Sequence, residues 1–304
     1  MEKFEINILG CGAALPTPKR LSSAQVVNIR EKLFMLDCAE GTQMALRRSR
    51  IAFSRLQAIF LTHLHGDHVF GLLGMLSTFG LLGRKQELHI YGPIDLQRVF
   101  QPQIDYFCAD TPYKIILHEI DTKTPQTIYE DRSVVVSTLP LRHRVPCCGY
   151  LFQEKPTARH IRRDAIDASQ IPVSQINNIK AGMDWTSPDG DFIPNHLLTT
   201  PPDPTRSYAY CTDTTYQPHL AELLKGTTCI YHEATFTNEH SILAKKTHHS
   251  TASQAAKIAH DAQAARLILG HFSARYKSED TLLKEAQQIF PNTVLAEDGM
   301  RITL

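Results

Sequence analysis

The segment Thr62-His63-Leu64-His65-Gly66-Asp67-His68 constrains this 304-residue chain more than any other. It closes the apolar run Ala58-Ile-Phe-Leu-Thr62, which reads as a strand, and precedes helical spacing over 69–82. In extended backbone, residues two apart point to the same side, so His63 and His65 are expected to project together beyond the strand end. Gly66 permits a turn, and Asp67 and His68 at the next helix start can swing back toward the same space. Three imidazoles and one carboxylate this close together mix nitrogen and oxygen donors in the way that suits zinc. The plainer reading, a solvated loop rich in histidine, fits the strand-to-helix context less well.

The rest of the chain supplies layers around that loop. Strand patterns fall at 4–9, 24–29 and 33–36, the last two separated by Arg30-Glu31-Lys32, a turn short enough for an antiparallel hairpin. A helix pattern over 41–50 follows, then alternating strand and helix patterns through 88–91, 94–107 and 115–117. Val134-Val135-Val136 is a strand, three β-branched residues in a row. Core-like patterning returns with strands at 207–211, 229–231, 266–269 and 301–304, and with helices near 218–224, 252–262 and 279–289. The expected fold class is α/β, two similar halves interrupted by one insertion.

That insertion is 154–205. It has no convincing core strand, a basic helix-compatible piece over 154–180, and then Pro188, Pro194, Pro201, Pro202 and Pro204. A structureless loop of this length inside a compact domain is improbable, so it reads as an arm leaving a single 1–304 domain.

Composition excludes several classes. At 42% hydrophobic residues the chain can bury a sizeable core, which argues against disorder or a fibre. No apolar run reaches the roughly 18 to 20 residues of a membrane span, and MEKFEINILG does not resemble a signal peptide, so a cytoplasmic protein is expected. The seven cysteines lack a C-x-x-C pair and suit buried thiols. A net charge of +1 argues against an indiscriminate nucleic-acid binder while leaving local basic patches open.

Four donors on one loop cannot saturate two metals. Downstream, His143 follows the run 134–141, Asp213 follows the strand 207–211, and His271 follows 266–269 and Gly270, all at C-terminal strand ends that a sheet would bring to one edge. Each alone would read as a turn or cap; together with the histidine loop they read as one site.

These residues sit in motifs that resemble the ribonuclease Z family of the metallo-β-lactamase superfamily: Leu9-Gly-Cys-Gly-Ala-Ala-Leu-Pro-Thr-Pro18, Leu36-Asp-Cys-Ala-Glu-Gly-Thr-Gln43, His63 to His68, Leu141-Arg-His143, Val145-Pro-Cys-Cys-Gly-Tyr150, Cys211-Thr-Asp-Thr214, His232-Glu-Ala-Thr235, His249-Ser-Thr251 and His271-Phe-Ser-Ala-Arg-Tyr276. The histidine cluster marks the superfamily; His232-Glu-Ala-Thr235 and His249-Ser-Thr251 are the family-specific elements. The resemblance implies a four-layer αββα sandwich and two zinc ions, one held by His63, His65 and His143, the other by Asp67, His68 and His271, with Asp213 bridging. Manganese or iron suits the same donors. It also implies an endoribonuclease that removes the 3′ trailer of precursor tRNA, cutting 3′ of the discriminator nucleotide.

Asp67 is implied both as a ligand and as the proton acceptor from water, two roles that compete for the same oxygens. His249 is the candidate for protonating the leaving ribose oxygen or contacting the phosphate, and Glu233 for orienting it. His249 also reads as part of a helix N-cap, since Ser250 and Thr251 precede an Ala-rich helix. Asp37 and Glu40 are read either as partners of ligand histidines or as turn residues; where the family commonly has Gly, this chain has Ala39.

Binding of tRNA requires local charge. Arg47, Arg48, Arg50 and Arg55 precede the histidine loop with no acidic residue among them, and the arm carries Lys155, Arg159, Arg162, Arg163 and Lys180 against Glu154, Asp164 and Asp167. Such runs are commonly only solvated faces. The family resemblance implies that the arm grips the tRNA elbow from the partner subunit of a homodimer, which makes Lys155, Arg159, Arg162 and Arg163 substrate-binding candidates. The arm here has Ile171-Pro-Val-Ser-Gln-Ile-Asn-Asn-Ile-Lys180 without the family's Gly-Pro turn; the loop Pro16-Thr-Pro-Lys-Arg20 resembles one that in some family members discriminates trailers ending in CCA, but Leu21 follows it where Asn is common, so the resemblance implies no particular CCA preference. The competing readings are a small-substrate phosphodiesterase or thioesterase on the same fold and a metal-free binding module.

Overall fold

The computed structural model describes residues 2–304, which divide into two compact units. The larger, 2–153 and 206–304, contains two seven-stranded sheets. The first runs in the order Arg301–Thr303, Phe4–Gly10, Ala24–Ile29, Lys32–Leu36, Leu56–Phe60, Leu88–Pro93, Ile115–Ile120. The second runs Thr293–Leu295, Arg266–Gly270, Cys229–Glu233, Ser207–Cys211, Cys148–Glu154, Val134–Pro140, Thr127–Glu130.

Alternation along each strand creates the layers. In Lys32–Leu36 and Leu56–Phe60, Phe34, Leu36, Ala58 and Phe60 face the core between the sheets, while Leu33, Met35 and Ile59 face helices on the outer side. Phe34 and Phe60 meet Phe152 of the opposite sheet with ring centroids 5.7 Å apart in both pairs. Each such ring contributes about 2 to 3 kcal/mol by leaving water. Helices Thr42–Arg48, Leu72–Leu81 and Leu96–Phe107 cover the first sheet; Leu220–Leu223, Ala252–Asp261 and Asp280–Gln287 cover the second. The result is the four-layer αββα sandwich.

The hairpin between Ala24–Ile29 and Lys32–Leu36 turns through Arg30 and Glu31, both at positive φ (50° and 66°). Two left-handed residues match the twist of the flanking strands, although neither is the Asn or Gly usual there. Strand Leu56–Phe60 ends two residues earlier than the apolar run suggests, and the helix after Gly41 ends at Arg48. Strands Thr127–Glu130, Cys148–Glu154 and Thr293–Leu295 and helix Ser241–Thr247 are additions to the sequence reading.

Residues 154–205 form the second unit, with its own small core of Ile166, Ile171, Ile179 and Leu198. Its two-residue strands pair only with each other, His160–Ile161 with Thr199–Thr200 and Trp185–Thr186 with Phe192–Ile193. Among the described residues no helix is long and apolar enough to cross a membrane.

Candidate active site

Parallel pairing of Ser207–Cys211, Cys229–Glu233 and Arg266–Gly270 aligns their C-terminal ends, and these ends deliver Asp213, Glu233 and His271. Three of the turning residues adopt left-handed backbone one or two residues beyond their strands: Asp37 (φ 55°), Asp213 (φ 48°) and His271 (φ 56°). Such conformations cost about 1 to 3 kcal/mol each and persist where the surroundings impose them. His63 and His65 project from the loop after Leu56–Phe60, and Asp67 and His68 lie in helix Gly66–Val69. Gly66 opens that helix in ordinary backbone, without positive φ; the tighter demand is at Gly71, where a Cβ would meet the Ala39 carbonyl oxygen at 2.0 Å. Backbone bonds from Cys38 N–H to His68 O (2.8 Å) and from Gly71 N–H to Cys38 O (2.9 Å) lock the Asp37 turn onto this helix. From the second sheet, Tyr150 donates to Leu61 O (2.6 Å) and Cys148 N–H to Thr62 O (3.1 Å), fixing where the histidine loop starts.

The structure brings all seven predicted donors together. His63, His65 and His143 offer atoms within 4.8 Å of one another, as do Asp67, His68 and His271, and as do His63, His68 and Asp213. Asp213 Oδ2 lies 3.1 Å from His68 Nε2 and 3.1 Å from His271 Nε2, and Asp213 Oδ1 lies 3.9 Å from His143 Nε2. Tetrahedral ligands bound at about 2.0 to 2.1 Å lie about 3.3 Å apart, so these spacings match edges of a metal polyhedron. His68 Nε2 and His271 Nε2 are buried without a hydrogen-bond partner, each 3.1 Å from Asp213 Oδ2. Buried orphan nitrogens converging on carboxylate oxygens fit a cation.

The remote nitrogens of four of the five histidines have partners. His68 Nδ1 donates to Asp37 Oδ2 (2.8 Å). His63 Nδ1 lies 3.1 Å from Thr62 Oγ1, whose hydroxyl donates to Asp37 Oδ1 (3.0 Å). His271 Nδ1 lies 2.9 Å from Thr235 Oγ1, whose hydroxyl donates to Glu233 Oε2 (2.6 Å). His143 Nδ1 donates to the His248 carbonyl (3.1 Å). With Nδ1 of these four rings carrying a proton, their Nε2 atoms present a lone pair inward, whereas His65 turns its Nδ1 toward His63 Nε2 (3.0 Å). Asp37 also accepts from Thr62 N–H (2.8 Å) and Tyr210 O–H (3.0 Å), so it is the anchor under the histidine loop, whereas Glu40 is exposed and touches no ligand histidine among the described residues.

Electrostatics follow. Burial, reinforced by neighbouring imidazoles, holds His63 well below the usual histidine range, and burial lowers His143 and His65. Neutral imidazoles are the metal-binding form. Burial opposes ionisation of Asp213, but His271, His68 and His63 outweigh it and keep its pKa well below the carboxylate range. Burial likewise opposes, and Asp213 and Asp37 overcome, a charged His68, raising its pKa.

His249 sits beside the donors, stacked on His271 (centroids 5.4 Å, 27°) and 2.9 Å from Glu233 Oε1 through Nδ1. Burial would lower its pKa, and the Glu233 carboxylate beside Nδ1 pushes it up to about 9. Glu233 is itself held by Thr214 N–H (2.7 Å) and Ser250 N–H (3.1 Å). The capping reading belongs to Thr251, which is the N-cap of Ala252–Asp261 in a capping box with Gln254 and anchors the turn carrying His249. His232 is buried with Nδ1 donating to the Glu233 carbonyl (2.8 Å) and is not among the clustered donors. Thr62, Thr235, Tyr210 and the His248 carbonyl are supports that the sequence reading missed. Thr62 and Thr235 lay within quoted motifs; nothing in sequence marks the other two.

The arm residues lie in the smaller unit. Arg159 donates to Thr199 Oγ1 (2.7 Å), Arg162 pairs with Asp164 (3.4 Å) and Arg163 with Asp167 (3.0 Å), while Lys155 also has an interaction partner. All seven cysteines are buried free thiols and none is among the clustered donors.

Comparison with known proteins places this geometry. Residues 4–100 match the model of the Anti-Pycsar protein Apyc1 family, and 197–272 match the beta-lactamase superfamily domain. Ribonuclease Z of Bacteroides thetaiotaomicron is 57% identical over 304 residues, covering 100% of this chain and 96% of that one. Ribonuclease Z of Porphyromonas gingivalis is 48% identical with both chains covered completely. Among solved structures, human tRNase Z, short form, superposes with a TM-score of 0.72 at 27% identity, covering 98% of each chain. The metallo-beta-lactamase fold protein YhfI of Bacillus subtilis, at 20% identity and TM-score 0.70 over the full length of both, shares the fold. A clustered His/Asp site at the sheet edges, the His249–Glu233 pair beside it and full-length identity of this order lead to one assignment: the chain belongs to the ribonuclease Z family.

Proposed function

We propose that this chain is a zinc-dependent endoribonuclease that removes the 3′ trailer from precursor tRNA, cutting 3′ of the discriminator nucleotide and leaving a 3′-hydroxyl on the tRNA and a 5′-phosphate on the trailer. The observation that carries the reading is the His249–Glu233 pair at 2.9 Å set against the seven donors, in a chain of this family. One ion would be held by His63, His65 and His143 and a second by Asp67, His68 and His271, with Asp213 shared. Two divalent ions supply water activation at neutral pH and neutralise charge developing on the scissile phosphate.

The chain's own residues do the remaining work. His249, kept protonated by Glu233, gives its proton to the O3′ leaving group as the phosphorus–O3′ bond breaks. Asp67 lies 3.5 Å from His68 Nε2 and 3.9 Å from His271 Nε2, a position suited to a ligand and within reach of the attacking water's proton. Asp37 and Glu233 hold the imidazoles in their inward-facing tautomers. The arm, with Lys155, Arg159, Arg162 and Arg163, supplies phosphate contacts, and a second copy of the chain would present it to the substrate in a homodimer. Arg162 and Arg163 would exchange their local carboxylates for phosphate on binding.

Purified protein offered a precursor tRNA with a 3′ trailer and a generic phosphodiester tests the reading. Strong preference for the precursor supports it; equal efficiency on both favours the small-substrate phosphodiesterase, and metal stoichiometry near zero with no hydrolysis favours a binding module.

A further inference from the structure

A cavity of about 390 Å³ opens beside His249, lined among others by Tyr216, Ile242, Lys245 and Gln254. Its size is that of a small-ligand site. All of its lining residues belong to the larger unit. Tyr216 is half-buried with its ring against the core, Ile242 is 85% exposed at the rim, and Lys245 is exposed with no ion-pair partner among the described residues. An aromatic ring, an unpaired cation and hydrogen-bonding side chains around one cavity are the features a mononucleotide site uses, a ring stacking a base of any identity and a lysine meeting phosphate.

The chemistry decides which nucleotide. In phosphodiester hydrolysis the water oxygen bonds to phosphorus as the phosphorus–O3′ bond breaks, the attacking and leaving oxygens being in line on opposite sides. Glu233 occupies Nδ1 of His249, so the proton for O3′ comes from Nε2 and the water's proton passes to a carboxylate among the donors. The nucleoside attached to O3′ must therefore lie on the His249 side, where this cavity is. We infer that the cavity walled by Tyr216 and Lys245 seats the discriminator nucleotide of the tRNA, with Tyr216 stacking on its base and Lys245 contacting its 5′-phosphate.

This rests on the tRNA reading above, and a wild-type protein that cuts a generic phosphodiester but no precursor tRNA contradicts that reading before any variant is made. Given precursor cleavage, the test compares kcat/KM on two substrates, a normal precursor and one with an abasic discriminator, for wild type, Tyr216→Leu and Tyr216→Phe. Leucine keeps apolar packing under the cavity and removes the stacking face; zinc content and melting temperature verify folding. Wild type is expected to lose roughly 10- to 100-fold on the abasic substrate, a stacking-sized effect. Tyr216→Leu should lose a similar factor on the normal precursor yet show little further loss on the abasic one, and Tyr216→Phe should behave as wild type. Lys245→Ala should lower kcat/KM on both substrates and reduce the log–log salt slope by about one. An undiminished abasic penalty in Tyr216→Leu would overturn the assignment, as would an unchanged salt slope in Lys245→Ala.

Discussion

Asp37 Oδ2 lies 2.8 Å from Nδ1 of His68, a carboxylate from the end of one strand bonded to an imidazole from the helix after the next. The same carboxylate also takes up the Thr62 hydroxyl that backs His63. One fully buried side chain thus orients a donor of each triad. Replacing Asp37 with Asn keeps its volume and removes its charge. Metal affinity, measured by competition with a chromogenic chelator, is expected to fall about 10- to 100-fold. Affinity equal to wild type would remove Asp37 from this role.

His249 lies beside the donors, and the proposed function gives it the proton transfer and not a metal. His249→Ala is expected to lower kcat on precursor tRNA about 100- to 10,000-fold while metal content stays at the wild-type level. Metal analysis beside single-turnover rates separates a lost proton donor from a lost metal; falling metal content would reassign His249 as a ligand.

Removing the metal should cost stability as well as activity. Without a cation, Asp67 and Asp213 face orphaned imidazole nitrogens in a buried site. Zinc held at about a thousand times its dissociation constant stabilises the fold by about 4 kcal/mol. Chelation followed by thermal melting should therefore lower Tm, and zinc should restore both Tm and turnover. Identical melting curves would argue that the donors bind no metal.

The arm can be removed without breaking a sheet. Gln153 and Ser207 are directly opposed partners in antiparallel strands, so a short turn can rejoin the chain there. The deleted protein is expected to bind zinc and hydrolyse a generic phosphodiester while KM for precursor tRNA rises and its salt dependence flattens. An unchanged KM would place tRNA binding elsewhere.

Much of this site was legible in sequence because strand ends and metal donors follow simple rules. Period-two spacing put His63 and His65 together, and the positions of His143, Asp213 and His271 just past apolar runs put them at one edge. The supports were harder to see. Left-handed backbone at Asp37, Asp213 and His271 is imposed by tertiary contacts. Strand Cys148–Glu154 contains Gly149, which weakens a strand pattern yet is needed here because a Cβ would meet the Tyr210 carbonyl oxygen at 2.4 Å. Glu40 shares a motif with Asp37, but only the partner that turns inward serves the site. The arm's internal ion pairs, Arg162 with Asp164 and Arg163 with Asp167, show which of the cations counted along 154–180 already have a carboxylate partner.

The central claim is most directly tested by mapping the cut in a precursor tRNA carrying a 3′ trailer, with zinc present and after chelation. One zinc-dependent cut is expected, 3′ of the discriminator nucleotide, with a 3′-hydroxyl on the tRNA and a 5′-phosphate on the trailer. Cleavage at scattered positions, a 3′-phosphate product, or a cut indifferent to chelation would contradict it.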